Sequence, residues 1–459
     1  MKLAILGCGL RTPLLLHGIA HSDFADSEVR LYDTAAGRAE LMTALGKVIA
    51  EGSPLRLVAH PNLTEAVSGC DFVISSIRPG EMPVRARDER NTLECGFAGQ
   101  ETTGPAGFAM ALRTVPVAIE HARIVERVAP RAWIINFTNP AGLITQAITT
   151  RTGARAIGIC DTPAELFFRI SLALRQPLDR VECEYAGLNH LGWVSAVRVG
   201  RADGSLEDCT DQLLKDDGLL RSLYSVDLFS PELIRRLRLI PTEYLYFYYN
   251  QRTAREHQLA AGSTRGEELV TLNGRVFHDL ESHLRNGHAH DALQAYRSYL
   301  NRRNASYMSV EGAGKSAFAT PEVDWDPFEG STGYHRIAVD AIGALSSSAP
   351  MRLVLNVPNR GAIPGLQAED VVEIPCLVDC SGPRAVGTPA LADAVMPLVM
   401  AVKSYERQTI DAAVSRDRSM AHFALFCNPI VADWEFARQC IDRLLDADPP
   451  TRDPPRTAF

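Results

Sequence analysis

Short apolar segments recur through the first 160 residues, and helical or loop segments separate them. Six such segments lie at 2–6, 29–33, 55–59, 71–77, 133–138 and 155–160. Strands that alternate with helices in this way predict β–α–β units and a parallel sheet with helices on both faces. We therefore expect an α/β chain whose N-terminal part is a Rossmann-like, doubly wound parallel sheet.

The chain is too long for a single hydrophobic core. It has 459 residues, whereas one core rarely serves more than about 250–300 residues. The second half reads as mainly helical at 213–239, 243–259, 280–303, 395–414 and 430–445, with strands at 351–357 and 371–378. We expect a domain at 1–190 that contains the parallel sheet and a mixed α+β, largely helical lobe at 191–459 that binds substrate and forms oligomer contacts.

The composition indicates which class of binding partner to expect. The net charge is −8 and no basic block is present, so a nucleic-acid partner is not expected. No apolar stretch reaches the ~18 residues that a membrane span needs, and the chain opens on a strand instead of a signal peptide. Ten cysteines without a framework spacing fit reduced thiols in a cytoplasm. The expected partner is a small molecule.

A glycine turn follows the first strand. Gly7 and Gly9 form a G-x-G between that strand and a helix that begins near Thr12, and Leu6 leads into the turn. Asp33 ends the second strand, where an acid can hold both ribose hydroxyls of NAD and would repel the 2′-phosphate of NADP. The third glycine of the usual pattern is missing. The alternative is a sheet of the same fold without a dinucleotide.

The stretch GICDTP, at 158–163, places a thiol and an acid between a strand and a helix. Thr162 and Glu165 match a T-x-x-E capping box, with proline at the first helical position. Cys160 and Asp161 should therefore lie where ligands bind in open parallel sheets, and a helix N-terminus favours the thiolate of a nearby cysteine. The alternative is a structural cysteine beside a second capping acid.

Four further stretches carry polar side chains near predicted strand ends or in polar settings. These are 77–116 with Arg78, Arg85 and Glu101, INFTNPAG with Asn136 and Asn139, GLNHLGW with Asn189 and His190, and RRNASYMS with Tyr307. Arginines and amides at strand ends suit an anionic or polyhydroxyl substrate. For the arginines the alternative is a solvated loop with charge pairs, and for His190 it is a structural role.

Taken in order, these motifs resemble those of the NAD- and manganese-dependent glycoside hydrolases of family 4, and within it the 6-phospho-β-glucosidases. The resemblance rests on LAILGCGLRTP, RARDER, GQETTGP, ALRTVPV, INFTNPAG, GICDTP, GLNHLGW, RRNASYMS and NVPNRGAIPGL, which span residues 3 to 366. Members of this kind are exceptions to hydrolysis by two carboxylates. The resemblance implies NAD and Mn²⁺, or another divalent metal, as cofactors.

The resemblance also implies a reaction sequence. NAD would take hydride from C3 of the sugar, which acidifies the C2 proton, and a base would remove that proton as the aglycone leaves from C1. Water would then add, and NADH would return the hydride. The divalent metal would polarise the C3 oxygen. Such a cycle hydrolyses a glycoside without net oxidation.

The implied site residues follow by motif position. Cys160 and His190 would hold the metal, Tyr307 would be the C2 base with help from Glu101, and Asp161 would be the acid for the leaving group. Cofactor contacts would come from Leu6, Gly7, Gly9, Asp33 and Arg78, and substrate contacts from Arg85, Asn139, Asn189 and Arg336. The family's habit also implies a homodimer or homotetramer.

Position 161 separates the two anomeric classes of the family. Aspartate here resembles 6-phospho-α-glucosidases, whereas many β-acting members have asparagine, which cannot deliver a proton. The longer motifs resemble the β-acting class. The sequence therefore also allows a 6-phospho-α-glucosidase, a hydrolase of unphosphorylated glycosides, an NAD-dependent hydroxy-acid dehydrogenase, and a non-catalytic NAD-binding sugar sensor.

Overall fold

One continuous sheet organises the chain in the computed structural model, which describes residues 1–312, 328 and 333–446. Among these residues the strands are β1 (Lys2–Leu6), β2 (Glu28–Tyr32), β3 (Arg56–Ala59), β4 (Phe72–Ser75), β5 (Trp133–Asn136), β6 (Arg155–Gly158), β7 (Val181–Leu188), β8 (Leu191–Gly200), β9 (Leu206–Asp208), β10 (Ile240–Pro241), β11 (Met351–Pro358), β12 (Val371–Asp379) and β13 (Gly382–Ala385).

Helices flank this sheet along the whole described chain. They are α1 (Thr12–Ala20), α2 (Arg38–Ile49), α3 (Leu63–Val67), α4 (Glu81–Glu94), α5 (Gly104–Val128), α6 (Ala141–Arg151), α7 (Thr162–Ala173), α8 (Thr210–Lys215), α9 (Asp217–Ser222), α10 (Pro231–Leu237), α11 (Tyr246–Tyr249), α12 (Gln251–Ala261), α13 (Arg265–Arg285), α14 (Ala289–Ala305), α15 (Tyr334–Ser346), α16 (Met396–Ser415), α17 (Arg418–Phe426) and α18 (Trp434–Asp446). None of the described helices is both long enough and apolar enough to cross a membrane.

The first six strands form a parallel sheet in the order β3-β2-β1-β4-β5-β6. This is the strand order of dinucleotide-binding folds, and the order reverses between β1 and β4. Ligands of such sheets bind outside the carboxyl ends of the strands at that reversal. The expected Rossmann-like fold is confirmed, and the loops after β1 and β4 are where a cofactor site belongs.

The second half of the chain extends the same sheet with antiparallel strands. Beyond β6 the order continues as β11-β12-β7-β8-β10, with β13 on β12 and β9 on β8. The junction is narrow, because β11 meets β6 through the pair Asn356 and Gly158. The mixed, largely helical second lobe is therefore joined to the first by backbone pairing.

Alternate side chains of β1 show that the sheet has a core on each face. Leu3 and Ile5 belong to a cluster with α1, α2 and α15, whereas Ala4 and Leu6 belong to one with α5, α6 and α16 to α18. Successive side chains of a strand point to opposite faces, so this division is what a doubly wound sheet requires. Helices α16 to α18, the last three in the described part of the chain, therefore cover a face of the N-terminal sheet.

The structure corrects several expectations about elements. The stretch at 77–116, for which a solvated loop was the alternative, holds the helix α4 and the first half of α5. Strands β7 and β8, which form a hairpin around GLNHLGW, were not predicted. The helix expected at 213–239 is divided into α8 to α10, because Asp216 and Ser230 cap two new helix starts.

Candidate active site

The turn after β1 lies against the backbone that follows β4. Gly7 has φ +87°, and a Cβ added there would lie 2.4 Å from the carbonyl oxygen of Ser76, so only glycine fits. The Ser76 N–H donates to the Leu6 carbonyl at 2.8 Å, which joins the two turns. A Cβ added at Gly9, by contrast, would have no heavy atom within 4 Å. One side of the turn is therefore open.

Asp33, which follows β2, supports this turn. Its Oδ2 accepts a hydrogen bond from the Cys8 N–H at 2.6 Å and its Oδ1 accepts one from the Ala35 N–H at 2.7 Å. A carboxylate oxygen that accepts one hydrogen bond can accept another. An oriented acid beside the open face of Gly9 therefore fits the ribose and diphosphate of a dinucleotide.

An ion-pair cluster lies next to these turns. Arg78 and Arg85 both contact Oε2 of Glu101, at 2.6 and 2.8 Å. Burial by itself raises the pKa of Glu101, but Arg85 and Arg78 outweigh it and hold that pKa at about 2. A carboxylate of this kind is a poor proton acceptor near neutral pH, so these contacts favour an orienting role for Glu101. Arg78, predicted to contact the cofactor, lies in this cluster.

Cys160 lies between the end of β6 and the start of α7, as predicted, and is 7% exposed. The expected capping box is wrong. Helix α7 begins at Thr162 itself, with Asp161 as the preceding residue, and the Asp161 side chain makes no capping hydrogen bond. Thr162 Oγ1 instead lies 3.3 Å from the Cys160 sulfur. The Asp161 carboxyl is thereby left for other contacts.

The protonation of Cys160 also differs from the expectation. Its pKa is raised well above the ordinary value, first by burial and then by the negative charges of Glu373 and Asp161. In the chain without a cation, burial and these two carboxylates therefore favour the thiol over the expected thiolate. A bound cation would supply the missing positive charge, and metal binding displaces a thiol proton.

His190 lies in the two-residue turn of the β7–β8 hairpin. Its φ is +62°, which is uncommon for a residue with a side chain but is the conformation that two-residue hairpin turns require. The ring stacks on Tyr244 with centroids 3.8 Å apart and an interplanar angle of 8°, and Nδ1 lies 2.9 Å from Thr102 Oγ1. Burial lowers the pKa of His190 to about 4. A neutral imidazole is the form that binds metals.

Two tyrosines meet beside His190. The hydroxyls of Tyr244 and Tyr307 lie 3.4 Å apart, and the Tyr307 O–H donates to Glu243. Burial and the charge of Glu243 raise the pKa of Tyr307 well above the ordinary value, and burial raises that of Glu243 to about 7. Sequence reasoning found Tyr307 but missed Glu243 and Tyr244. The acid among the aromatic residues of PTEYLYFYY was the available signal.

A second buried acid, Glu373 on β12, lies behind Cys160. It accepts hydrogen bonds from Tyr185 at 2.6 Å, from Asn356 at 2.9 Å and from Asn189 at 3.2 Å. Burial raises the pKa of Glu373 to about 7, and Asp161 adds to the rise. Sequence reasoning missed this residue too, although an acid inside the apolar run VVEIPCLV was a signal.

The remaining predicted residues lie at different distances from this centre. Asn189 links Glu373 to the Ala141 N–H, and Asn139 is partly exposed before Pro140. Asn136 is fully buried, and its side chain bonds within its own turn and to Thr145 among the described residues, so it faces away from any ligand. Arg336 is exposed on α15. None of its described contacts is with another candidate residue.

The donor set around Cys160 and His190 fits a divalent cation. It offers one sulfur and one neutral imidazole, with the carboxyl of Asp161 beside the sulfur at 3.9 Å. A separate group in the described part of the chain, His283, His288 and Asp291, has ligand atoms within 4.8 Å of one another. That group lies at the exposed turn between α13 and α14 and contains neither predicted ligand.

Both halves of the chain match the models of one protein family. Residues 2–174 match the family model described as family 4 glycosyl hydrolase, and residues 185–431 match its C-terminal domain. A Bacillus subtilis protein named probable 6-phospho-beta-glucosidase is 28% identical over 97% of this chain and 96% of its own length. A Lacticaseibacillus paracasei protein named 6-phospho-alpha-glucosidase 1 is 26% identical over 92% of this chain and 90% of its own.

The fold is also found among solved structures. The 6-phospho-beta glucosidase of Thermotoga maritima, solved with manganese, NAD⁺ and glucose-6-phosphate, superposes with a TM-score of 0.77. It is 26% identical, and the match covers 97% of this chain and 98% of that one. These similarities extend over both halves of the sheet.

Proposed function

This chain belongs to the family 4 glycosyl hydrolases, and we propose that it is a 6-phosphoglucosidase that requires NAD and a divalent metal, with the β-glucoside as its substrate. The observation that carries the proposal is a buried thiol after β6 together with a neutral imidazole that stacks on one of a pair of tyrosines, in a chain whose first half is a dinucleotide-binding sheet. Relatives named for both anomers match the chain, so the β preference rests on the longer motifs.

Bound NAD and a bound divalent ion would supply reversible oxidation at C3 and polarisation of the C3 oxygen, respectively. The protein's own residues do the rest. The open turn at Gly9 with Asp33 would hold the dinucleotide, and Cys160 and His190 would hold the cation. Asp161 protonates the leaving oxygen, and burial raises its pKa, which favours the acid form.

The C2 base belongs to the tyrosine pair. We retain Tyr307 as the predicted base and add Tyr244, because Tyr244 stacks directly on the proposed metal ligand His190 whereas the Tyr307 O–H is used by Glu243. In D₂O, the rate of deuterium entry at C2 of the substrate should fall in both Tyr244→Phe and Tyr307→Phe. A larger loss in Tyr244→Phe would transfer the role from Tyr307, and unchanged exchange in both would remove the pair from this step.

A 6-phosphate is an anion and binds best where positively charged side chains are available. Arg11 and Arg303 are near enough to Asp161 for their charges to lower its pKa against the effect of burial. Arg303 also acts on Glu101 in the same way. We expect these arginines to attract the phosphate, together with the predicted substrate contacts at Arg85, Asn139 and Asn189. The proposed substrate is therefore the phosphorylated sugar.

One assay decides among the candidate activities. The pure protein is incubated with NAD and Mn²⁺ and offered the 4-nitrophenyl β- and α-glucosides, each with and without a 6-phosphate. We expect release of 4-nitrophenol from the β-6-phosphate and none when NAD or the metal is omitted. Release only from the α-6-phosphate would reverse the anomeric assignment, and release only from unphosphorylated glycosides would remove the phosphate requirement.

The same assay distinguishes a glycosidase from a dehydrogenase and from a sugar sensor. A hydroxy-acid dehydrogenase would accumulate NADH in proportion to substrate, whereas the proposed cycle returns each hydride. A sugar sensor would bind ligand without turnover. Membership of a hydrolase family argues against both. Absence of hydrolysis with all four glycosides would contradict the proposed function.

We propose further that the protein is a cytoplasmic homodimer or homotetramer. All ten cysteines are free, which suits a reducing compartment. Three aromatic side chains on α17 and α18, Phe423, Trp434 and Phe436, are 45%, 53% and 49% exposed, a degree that suits an interface between copies. Sedimentation velocity should show a dimer or tetramer that Trp434→Arg weakens, and a monomeric wild type would contradict the assembly.

A further inference from the structure

The Nδ1 atom of His190 makes a hydrogen bond that bears on which ring nitrogen carries the proton. Nδ1 lies 2.9 Å from the Thr102 hydroxyl, and among the described residues this is the ring's hydrogen bond. A hydroxyl can donate or accept, and neutral imidazole has one nitrogen of each kind. The contact alone therefore leaves two tautomers possible, and the partners of Thr102 must decide between them.

The side chain of Gln100 determines which tautomer of His190 is present. Its Oε1 accepts hydrogen bonds from the backbone N–H groups of Thr102 and Thr103, at 2.6 and 2.9 Å. If the amide were turned over, its NH₂ group would face two N–H donors. The side-chain atom at this position is therefore an oxygen, and it can only accept.

The Thr102 hydroxyl lies 2.8 Å from that oxygen, the usual length of an O–H···O hydrogen bond. Gln100 Oε1 has no hydrogen, and two oxygens at this distance repel each other unless a hydrogen lies between them, so the single hydroxyl hydrogen of Thr102 points to Gln100. Thr102 then faces His190 with a lone pair, and the hydrogen in their contact must belong to Nδ1. The Nε2 atom of a neutral ring is left without a proton.

We infer that Gln100 and Thr102 hold His190 as the Nδ1–H tautomer and so direct the lone pair of Nε2 to a divalent cation. The part about the cation rests on the proposed function, whereas the tautomer follows from the contacts alone. Metal-binding histidines commonly donate their other N–H to a partner that fixes the ring. Thr102 is thus a positioning residue for the metal site.

The loop that carries Thr102 is itself fixed from two sides. The backbone of Gly99 exchanges two hydrogen bonds with the Gln258 amide, at 2.8 and 3.0 Å. A Cβ at Gly107 would lie 2.4 Å from the Thr102 carbonyl carbon, so α5 approaches the loop closely. Tyr244 covers the face of the His190 ring. The imidazole is therefore held in position before any cation binds.

The tautomer can be measured in the metal-free protein. Long-range proton–nitrogen NMR correlations of protein labelled with nitrogen-15 histidine distinguish a protonated from an unprotonated ring nitrogen, and His190→Gln identifies the signals of His190. We expect wild-type protein to show Nδ1 protonated and Nε2 unprotonated. A protonated Nε2 would overturn the inference directly, without any variant at Thr102.

The role of Thr102 is tested with a matched pair of variants. Thr102→Val keeps the shape and removes the hydroxyl, whereas Thr102→Ser keeps the hydroxyl. We expect Thr102→Val to mix the two tautomers and to weaken Mn²⁺ binding, followed by electron paramagnetic resonance, by about 10- to 100-fold. Thr102→Ser should resemble wild type in both measurements. An unchanged His190 spectrum in Thr102→Val would overturn the role of Thr102.

These measurements separate this inference from the proposed function. If the protein hydrolyses none of the glycosides, the NMR result still supports or overturns the tautomer. If the tautomer is as inferred but Mn²⁺ binds equally well to wild type and His190→Gln, the metal assignment of His190 fails and with it the purpose given to Thr102.

Discussion

Glu101 keeps a negative charge in a nearly enclosed position because two guanidinium groups contact the same carboxylate oxygen. The replacement Glu101→Gln would remove the carboxylate beside Arg78 and one of the two carboxylates beside Arg85, which also pairs with Glu89. We expect it to lower the free energy of unfolding by about 3–5 kcal/mol at neutral pH. Urea unfolding at a series of pH values measures this.

The stability that Glu101 contributes should depend on pH. The folded pKa of Glu101 is about 2, below its ordinary value of 4.5, so its stabilisation is complete above pH 4.5 and is lost as the pH falls towards 2. The difference between wild type and Glu101→Gln should shrink over that interval. As a control, Glu207→Gln breaks the exposed pair with Arg201 and should cost at most about 1 kcal/mol. Equal costs for the two variants would contradict the burial argument.

Asp161 is predicted to act on the leaving group. A poor leaving group needs a proton as its bond to C1 breaks, whereas 4-nitrophenolate leaves without one. Asp161→Asn should therefore reduce kcat for an alkyl glucoside 6-phosphate by about 100-fold or more and affect the 4-nitrophenyl substrate much less. Steady-state kinetics on the two substrates decide, and an equal loss on both would indicate a different role for Asp161.

The sequence allowed prediction of site residues that belong to a local pattern. Gly7 lies in a strand–turn–helix signal, Asp33 ends a strand, and Cys160 lies between a strand and a helix. Glu243 and Glu373 were missed because nothing near them in sequence reveals their partners. The residues that bond to them include Tyr307 and Tyr185, which lie more than 60 and 180 residues away respectively.

At the scale of elements, Gly7 and Gly9 have different roles in the turn between β1 and α1. Gly7→Ala would place a methyl group against the Ser76 carbonyl at a positive φ, and we expect a loss of at least about 2 kcal/mol in the free energy of unfolding. Gly9→Ala meets open space, so it should change stability by less than about 1 kcal/mol.

The variant Gly9→Ala, which should hardly change stability, should instead weaken cofactor binding. A methyl group on Gly9 would project from the open side of the turn, where the dinucleotide is proposed to lie. We expect Gly9→Ala to weaken NAD binding by about tenfold or more, measured by calorimetry. Full NAD affinity in Gly9→Ala would place the cofactor elsewhere.

The parallel strands were predictable because each is a compact apolar run bounded by turns. The β7–β8 hairpin was not, because it departs from that pattern. Gly187 lies inside it, and a Cβ at that position would lie 2.3 Å from the Leu191 carbonyl oxygen. Such close backbone approach needs glycine, which as a sequence signal indicates a loop. Helix α4 was also not predicted. Its sequence is strongly polar, which is typical of a loop, and in the helix Arg85 forms an ion pair with Glu89.

At the scale of the molecule, a buried lysine joins α16 to α6 and β12. Lys403 on α16 is 0% exposed and donates to Gln146 on α6, to the Val371 carbonyl and to Glu406. Lys403→Met would leave Glu406 buried without its partner. We expect the free energy of unfolding to fall by about 3–5 kcal/mol, measured by denaturant titration.

A double variant provides the control for this prediction. Lys403→Met with Glu406→Leu removes both charges and replaces them with apolar groups, so it should be less destabilised than Lys403→Met alone. If the double variant were the less stable of the two, the charge argument would be wrong and lost packing would be the cause.

The proposed domain boundary at residue 190 separates a cofactor-binding part from a substrate-binding part. It also lies near the change from parallel to antiparallel strand pairing. The sheet nevertheless continues across it, and α16 to α18 cover a face of the first part. Sequence patterns identify a change of element type but not which surfaces a later helix will cover, so this packing was not predictable. Fluorescence and far-UV circular dichroism should report one unfolding transition.

The two-residue turn at the tip of the β7–β8 hairpin has a consequence for tolerance to insertions. Asn189 and His190 are neighbours in the chain, yet one bonds to the carboxylate behind Cys160 and the other offers its ring to the site. One added residue would shift the strand register and turn alternate side chains to the opposite face. Surface loops of enzymes commonly vary in length, but this one should be fixed at two residues in any chain that keeps the same active site.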